Sequence, residues 1–275
     1  MSWLKFKKSY LVFLILACGC SQNLLTNLSS KTTDEALLED AQKAVNAQQY
    51  QSAIDIITLK VSSGGRSKVL AKEILASGYA GRCGLNFIDF VTSLSSTVST
   101  SAFKIVSAPF VGRAIDPTSC LQSLNTLESI APNASRTSSQ NAFAAVVGMS
   151  LMGTGVRNST DIDGINNYGD GTQDANGISC SLTNTQVDLI ILGFGFMSQN
   201  FSALSSSQIG SNSQTSLNVI ISKCVAIAGG SCSITDPASI TNPIRDTIRD
   251  LMNTSDYGIG TFHPANDLAI PGSCP

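Results

Sequence analysis

The sequence predicts an all-α fold, a helical bundle with long loops between its helices. Apolar residues recur at the spacing of one helix face through much of the chain, whereas the alternating patterns typical of strands are sparse. Thr32 with Glu35 and Thr183 with Gln186 have the spacing of a capping box, in which side chains at the first turn satisfy backbone N–H groups. Periodicity and helix start signals together favour this fold class.

The N-terminal segment has the layout of a secretory signal peptide. Lys5, Lys7 and Lys8 precede an apolar stretch at residues 10–17, which small residues and cysteines follow. A stretch this short cannot cross a hydrocarbon core about 30 Å thick, since a helix needs roughly 20 residues to do so. We therefore interpret residues 1–19 as a targeting segment.

The segment ends in Ala17-Cys18-Gly19-Cys20, which resembles the lipobox of bacterial lipoproteins, where a small residue precedes the lipid-bearing cysteine. The local pattern does not separate Cys18 from Cys20. Cleavage before Cys20 leaves six further cysteines, an even number that suits an oxidising compartment, so Cys20 is the predicted attachment site and Cys18 the alternative. Cys20 is followed by Ser21 rather than Asp, which resembles the sorting signal of outer-membrane lipoproteins. The resemblance implies a protein that is anchored in the outer membrane and faces the periplasm or the cell surface.

The mature chain is predicted to begin with a lipidated polar tether at residues 20–31, followed by a single helical domain at residues 32–275 with a possible sub-boundary near 95–115. Removing the three signal lysines leaves 14 basic against 19 acidic residues, a net charge of 14 − 19 = −5. An acidic domain has no electrostatic basis for binding nucleic acid, so that class of partner is excluded.

The first four helices are predicted at residues 33–48, 50–57, 66–82 and 85–94. Small and apolar residues on these helices resemble tetratricopeptide helical hairpins over residues 34–94. The matching residues are Ala41, Tyr50, Ala53, Ile57, Leu75, Ala76 and Tyr79. The resemblance implies paired helices that present a concave face.

Five further helices are predicted. They span residues 116–130, 138–153, 183–197, 214–226 and 243–253. Asp116 is expected to cap the first of them, with Pro117 at its first position, and Asn242 to cap the last. The helix after Thr183 is nearly all apolar and should lie at the centre of the body. Long connections are expected at residues 95–115, 154–182 and 227–240.

One loop has the ligand spacing of a calcium site. Oxygen-bearing residues fall at positions 1, 3, 5, 9 and 12, with a glycine at 6 and a backbone carbonyl at 7. The candidate ligands are Ser159, Asp161, Asp163, the carbonyl of Ile165, Asn167 and Asp170. The stretch resembles EF-hand and thrombospondin type 3 loops, and a partial copy follows at Asp174, 174 − 161 = 13 residues later. The alternative is a polar loop whose side chains bond their own backbone.

The six remaining cysteines are expected to form disulfides. They are Cys83, Cys120, Cys180, Cys224, Cys232 and Cys274. Cys224 and Cys232 are close enough in sequence to tie a helix end to the following loop, whereas the other four leave three pairings open.

Catalytic patterns are largely missing. The single histidine, His263, lies near the C-terminus and cannot build a multi-histidine metal site. Ser101 and Lys104 have the Ser-x-x-Lys spacing of serine acyl-transfer enzymes, but the companion motifs of that class are absent. The sequence therefore predicts that the protein is not an enzyme.

These observations lead us to expect a membrane-anchored envelope lipoprotein that acts as a structural or protein-interaction module, with an envelope protein as its partner. The alternative is an accessory lipoprotein of a transport system that binds a small hydrophobic ligand, with the apolar helices around Val146 and Ile191 lining a channel or forming core.

The lipid attachment site can be tested by metabolic labelling with palmitate in a Gram-negative host. We expect Cys20→Ser to abolish incorporation of the label, because the acylated sulfur is removed, and Cys18→Ser to leave it intact. If the label survives Cys20→Ser and is lost in Cys18→Ser, the lipid attachment site is Cys18 instead.

Overall fold

A computed structural model of the chain describes residues 32–96, 99, 101–174, 179–228, 232–254 and 257–259. Within these residues the fold is all-α and contains no β-strand, as predicted. The α-helices are α1 (Asp34–Asn46), α2 (Tyr50–Asp55), α3 (Ser63–Arg66), α4 (Val69–Arg82), α5 (Phe87–Ser96), α6 (Ala102–Ser107), α7 (Pro117–Glu128), α8 (Ser138–Thr160), α9 (Asn184–Asn200), α10 (Ser206–Ile209), α11 (Ser211–Ala228) and α12 (Asn242–Asn253). Among these helices, none is long and apolar enough to cross a membrane.

Local signals in the sequence position several of these helices. Thr183 and Gln186 form the predicted capping box of α9, and Asp116 caps α7 by accepting from the Ser119 N–H at 3.3 Å. The α1 cap differs from the prediction by one residue, because Thr33 rather than Thr32 accepts the Ala36 N–H. The α12 cap differs in the same way, since Thr241 occupies that position and Asn242 is helical.

The structure adds helices α3, α6 and α10 to those predicted, and α8, α9 and α11 extend beyond their predicted ends. The predicted connection at 95–115 contains α6, whose Phe103 is fully buried. Helix α8 continues to Thr160 instead of ending near residue 153. Gly153 and Gly155 favour a helix end there, at about 1 kcal/mol each against alanine. Both glycines instead pack against neighbouring segments, at Val106 and Ile190, and this contact offsets their low helix propensity.

The helix pair α8 and α9 forms the centre of the fold. A Cβ placed on Gly148 would lie 2.6 Å from the Met197 nitrogen, and one on Gly193 would lie 2.5 Å from the Met152 nitrogen. The two backbones therefore touch directly, and only glycine at both crossing positions allows this. Val146 and Ile191, which the sequence assigned to core or to a channel, are both buried in the main hydrophobic core.

The N-terminal helices have a small hydrophobic core of their own. It consists of Leu37, Leu38, Ala41, Ile57, Val61, Ala71 and Ile74. Helix α4 joins it to the main core, because Ala71 and Ile74 belong to the small cluster whereas Ala76 and Ala80 belong to the large one. A π-helical turn, Ile56–Lys60, follows α2 directly.

Disulfides tie helix ends to their neighbours. Cys83 and Cys120 are bonded, with a Cα–Cα distance of 5.1 Å, and link the end of α4 to α7. Cys224 and Cys232 are also bonded, as their spacing suggested. Cys180 is disulfide-bonded as well, and Cys274 lies outside the described residues.

The backbone contact between α8 and α9 can be tested with Gly193→Ala. A methyl group there meets backbone atoms that no rotamer change can remove, so we expect the free energy of unfolding to fall by about 1–3 kcal/mol. Gly64→Ala is the matched control, because its Cβ would have only the Ser62 Oγ, 3.8 Å away, within contact range. Its stability should be unchanged or slightly raised. Equal unfolding curves for the two variants would contradict a direct backbone contact between α8 and α9 at Gly193.

Candidate functional site

The candidate site is the acidic loop, defined as residues 161–174, which begins where α8 ends. The Asp161 N–H still donates to the Arg157 carbonyl at 3.0 Å, so this residue caps the helix and starts the loop. Gly169 adopts a φ of +72°, and a Cβ there would lie 2.1 Å from an Arg157 nitrogen. A glycine at this position is therefore needed for the loop to close on α8.

Asp161 organises the loop from within. Its carboxylate accepts the N–H groups of Asp170 and Gly171, each at 3.0 Å, and forms an ion pair with Arg157. The side chains of this pair are only 4% and 5% exposed. Arg157 also donates to the Tyr168 carbonyl at 3.0 Å. The helix end and the far side of the loop are thus joined through one buried ion pair.

Three of the predicted ligands come together. Carboxylate oxygens of Asp161, Asp163 and Asp170 all lie within 4.8 Å of one another. Oxygens on opposite sides of a calcium ion are separated by about 5 Å, because each calcium–oxygen bond is about 2.4 Å long. The spacing of these carboxylates therefore fits a calcium ion.

Asp174 supplies a fourth carboxylate that the ligand spacing did not include. Its N–H donates to the Thr160 carbonyl, and its carboxylate accepts the Ile162 N–H, both at 2.8 Å. Its Oδ1 is buried and has no hydrogen-bond partner among the described residues. In the sequence Asp174 repeats Asp161, and this repeat predicts a second loop. In the structure Asp174 instead folds back onto the first.

The electrostatics show that the loop concentrates negative charge. Desolvation, and after it the charges of Asp174 and Asp170, raise the pKa of Asp163, and Arg157 opposes that shift. Burial lowers the pKa of Arg157, whereas Asp170, Asp174 and Asp163 act to raise it. The loop therefore holds its carboxylates together at an electrostatic cost that a bound cation would remove.

The other predicted ligands are placed less favourably. Ser159 lies in the last turn of α8 rather than at the start of a loop. Residues Ile165–Asn167 form a 3-10 turn, within which Asn167 has a φ of +59° and an exposed side chain. The structure thus brings together the aspartates of the motif and departs from the loop conformation that the spacing implied.

The Ser101 and Lys104 pair does not form a nucleophile and base. Ser101 is 2% exposed and caps α6 by accepting the Lys104 N–H at 3.3 Å. Its hydroxyl lies 2.8 Å from the Tyr257 carbonyl, to which it donates. This serine ties α6 to the segment after α12. His263, Cys18 and Cys20 lie outside the described residues.

Comparison of the chain with models of protein families, with curated proteins and with solved structures gives no match.

Proposed function

We propose that this chain is a lipid-anchored envelope protein whose helical body is a non-catalytic structural or protein-interaction module, with calcium ordering its acidic loop. The N-terminal sequence supports the anchor, through its lysines, its short apolar stretch and Cys20. That segment lies outside the described residues, so the anchor rests on sequence alone.

The distribution of exposed apolar side chains supports an interaction role, and this observation carries the proposal. Ten large apolar side chains are exposed in the described part of the chain, and five of them fall between residues 59 and 88. They are Leu59, Val69, Leu70, Phe87 and Ile88, with Leu59 77% and Ile88 75% exposed. All five lie on the stretch from the end of α2 to the start of α5, and a contiguous apolar patch on these helices would be typical of a surface that contacts another protein.

The packing of the body argues against the alternative of an apolar ligand channel. Such a channel would run between the most apolar helices, α8 and α9. The backbones of these helices touch at Gly148 and Gly193, and their side chains are core. No space for a ligand remains along this contact.

Calcium would be held by Asp161, Asp163, Asp170 and Asp174. Its chemistry would be structural: it would offset the mutual repulsion of the carboxylates and fix the loop against α8. The unpartnered Oδ1 of Asp174 and the close approach of the other three side chains support this assignment.

The calcium proposal can be tested by the thermal midpoint of the full chain in excess calcium and in chelator. We expect calcium to raise the midpoint by several degrees, because it binds only the folded loop. Asp163→Asn should abolish that gain. The control Asp40→Asn, on α1, should retain it. An unchanged midpoint in calcium would instead indicate a polar loop whose side chains bond their own backbone and which binds no calcium.

The same variant gives a second prediction in chelator. Because the pKa of Asp163 is raised in the fold, its ionisation opposes folding, and the stability it contributes when protonated is lost as pH rises through the folded pKa. Asp163→Asn should therefore raise the metal-free midpoint at neutral pH and flatten its decline with pH. A lower metal-free midpoint at neutral pH would contradict repulsion between the Asp163 carboxylate and its neighbours.

The interaction surface can be tested by a photo-crosslinking amino acid at Leu59 or Ile88 in the source organism. We expect both positions to give the same discrete adduct with an envelope protein. Lys223, exposed on α11, is the control position and should not give it. Identical adduct patterns from all three positions would contradict a surface confined to the N-terminal helices.

A further inference from the structure

Cationic side chains accompany the exposed apolar residues at the start of α4. Residues 56–72 contain four cations, Lys60, Arg66, Lys68 and Lys72, and no acidic residue. The predicted mature chain has 14 basic against 19 acidic residues, so this segment differs in sign from the molecule as a whole. A local cluster of one charge attracts partners of the opposite charge and selects among them.

The fold brings these cations and apolar side chains onto one part of the surface. The Arg66 guanidinium donates to the Thr58 carbonyl at 2.5 Å, so it lies beside the π-helical turn that carries Leu59. The remaining members follow Arg66 closely in sequence. We call this surface the basic patch and define it as Leu59, Lys60, Arg66, Lys68, Val69 and Leu70, all of which are exposed.

Most of the positive charge of the basic patch is not neutralised within the fold. Lys60 makes no hydrogen bond or ion pair with a described residue. Arg66 bonds a carbonyl, which carries no net charge. Lys68 does have a carboxylate partner, since it donates to Glu35 at 2.8 Å. Lys60 and Arg66 are therefore available to the carboxylates of a partner.

The chain enters the helical body beside the basic patch. The Asp34 carboxylate accepts the Ser62 N–H at 2.8 Å, and the ion pair between Lys68 and Glu35 joins the same two segments. Twelve residues, 20–31, separate this point from the proposed lipid. Fully extended, a tether of this length spans only about 40 Å. A partner must therefore present its contact segment close to the membrane.

The acidic residues of α1 favour a protein over a lipid surface as this partner. The helix carries four carboxylates, at Asp34, Glu35, Glu39 and Asp40, and its first turn contacts the basic patch through Lys68. A flat anionic bilayer laid on the patch would also approach these carboxylates, which repel it. A protein segment is narrow enough to contact the patch alone.

We infer that the partner of the proposed interaction surface is an envelope protein that presents an acidic and apolar segment close to the membrane. Its carboxylates lie against Lys60 and Arg66, and its apolar side chains cover Leu59, Val69 and Leu70. This inference rests on the proposed interaction role and adds the chemistry and the location of the partner.

The test places a photo-crosslinking amino acid at Leu70 of the full chain in the source organism. Lys60→Glu should lower the adduct yield by about fivefold, because it replaces attraction of a carboxylate by repulsion. Lys223→Glu is the matched control. Lys223 is likewise exposed and makes no bond to a described residue, but it lies on α11, so its reversal should leave the yield unchanged. Equal thermal midpoints of the two variants will show that both are folded.

Mapping the cross-linked peptide identifies the segment of the partner. We expect an Asp or Glu within about one helical turn of the cross-linked residue, in a part of the partner that lies near its own membrane anchor or span. Changing that carboxylate to Lys should restore the adduct yield of the Lys60→Glu chain. A purely structural role of Lys60 would not produce this rescue.

A yield that is indifferent to Lys60→Glu, or a cross-linked peptide without a nearby carboxylate, would overturn the inference and leave the proposed interaction surface in place. An adduct with the mass of a phospholipid would overturn it in favour of an anionic bilayer. Absence of any adduct from Leu59, Leu70 and Ile88 would instead remove the proposed surface itself, and the inference with it.

Discussion

The backbone contact between α8 and α9 is the constraint on which the rest of the structure depends. Gly148 and Gly193 let the two helices approach until main-chain atoms touch, and Gly153 lets α8 meet the Val106 carbonyl of α6 in the same way. Interiors packed to this density do not deform continuously. The end of α8 is therefore fixed with respect to α6 and α9, and so are the side chains that project from it.

That fixed helix end places Arg157 and Asp161 at the start of the acidic loop, beside a cavity of about 480 Å³ that both residues line. Arg157 is buried, so it needs acceptors around its guanidinium, and it finds them in Asp161 and the Tyr168 carbonyl. These bonds pull the loop back over α8. Gly171, in the segment that closes the loop, consequently lines this cavity as well, and Arg157 contributes to both the loop and the cavity.

Sequence reasoning succeeded where structure is decided locally. The caps of α7 and α9 depend on residues three positions apart, and the Cys224–Cys232 pair on a short loop. It failed where distant segments decide. The sequence predicts that α8 ends near residue 153, whereas the packing of Gly153 and Gly155 against α6 and α9 accompanies its continuation to Thr160. Asp174 could be recognised as a repeat from the sequence, but not as a fourth member of the first loop.

The N-terminal helices have a small hydrophobic core of their own, but hydrogen bonds and a disulfide attach them to the rest of the fold. Arg82, at the end of α4, donates to Gln51 of α2 and to Ser119 and Gln122 of α7, at 2.6–2.9 Å. The next residue, Cys83, is bonded to Cys120 of the same α7. This double attachment fixes the surface that carries Phe87 and Ile88 relative to the core. A surface held in this way loses little conformational freedom on binding, so a larger share of the buried apolar area contributes to affinity than on a mobile segment.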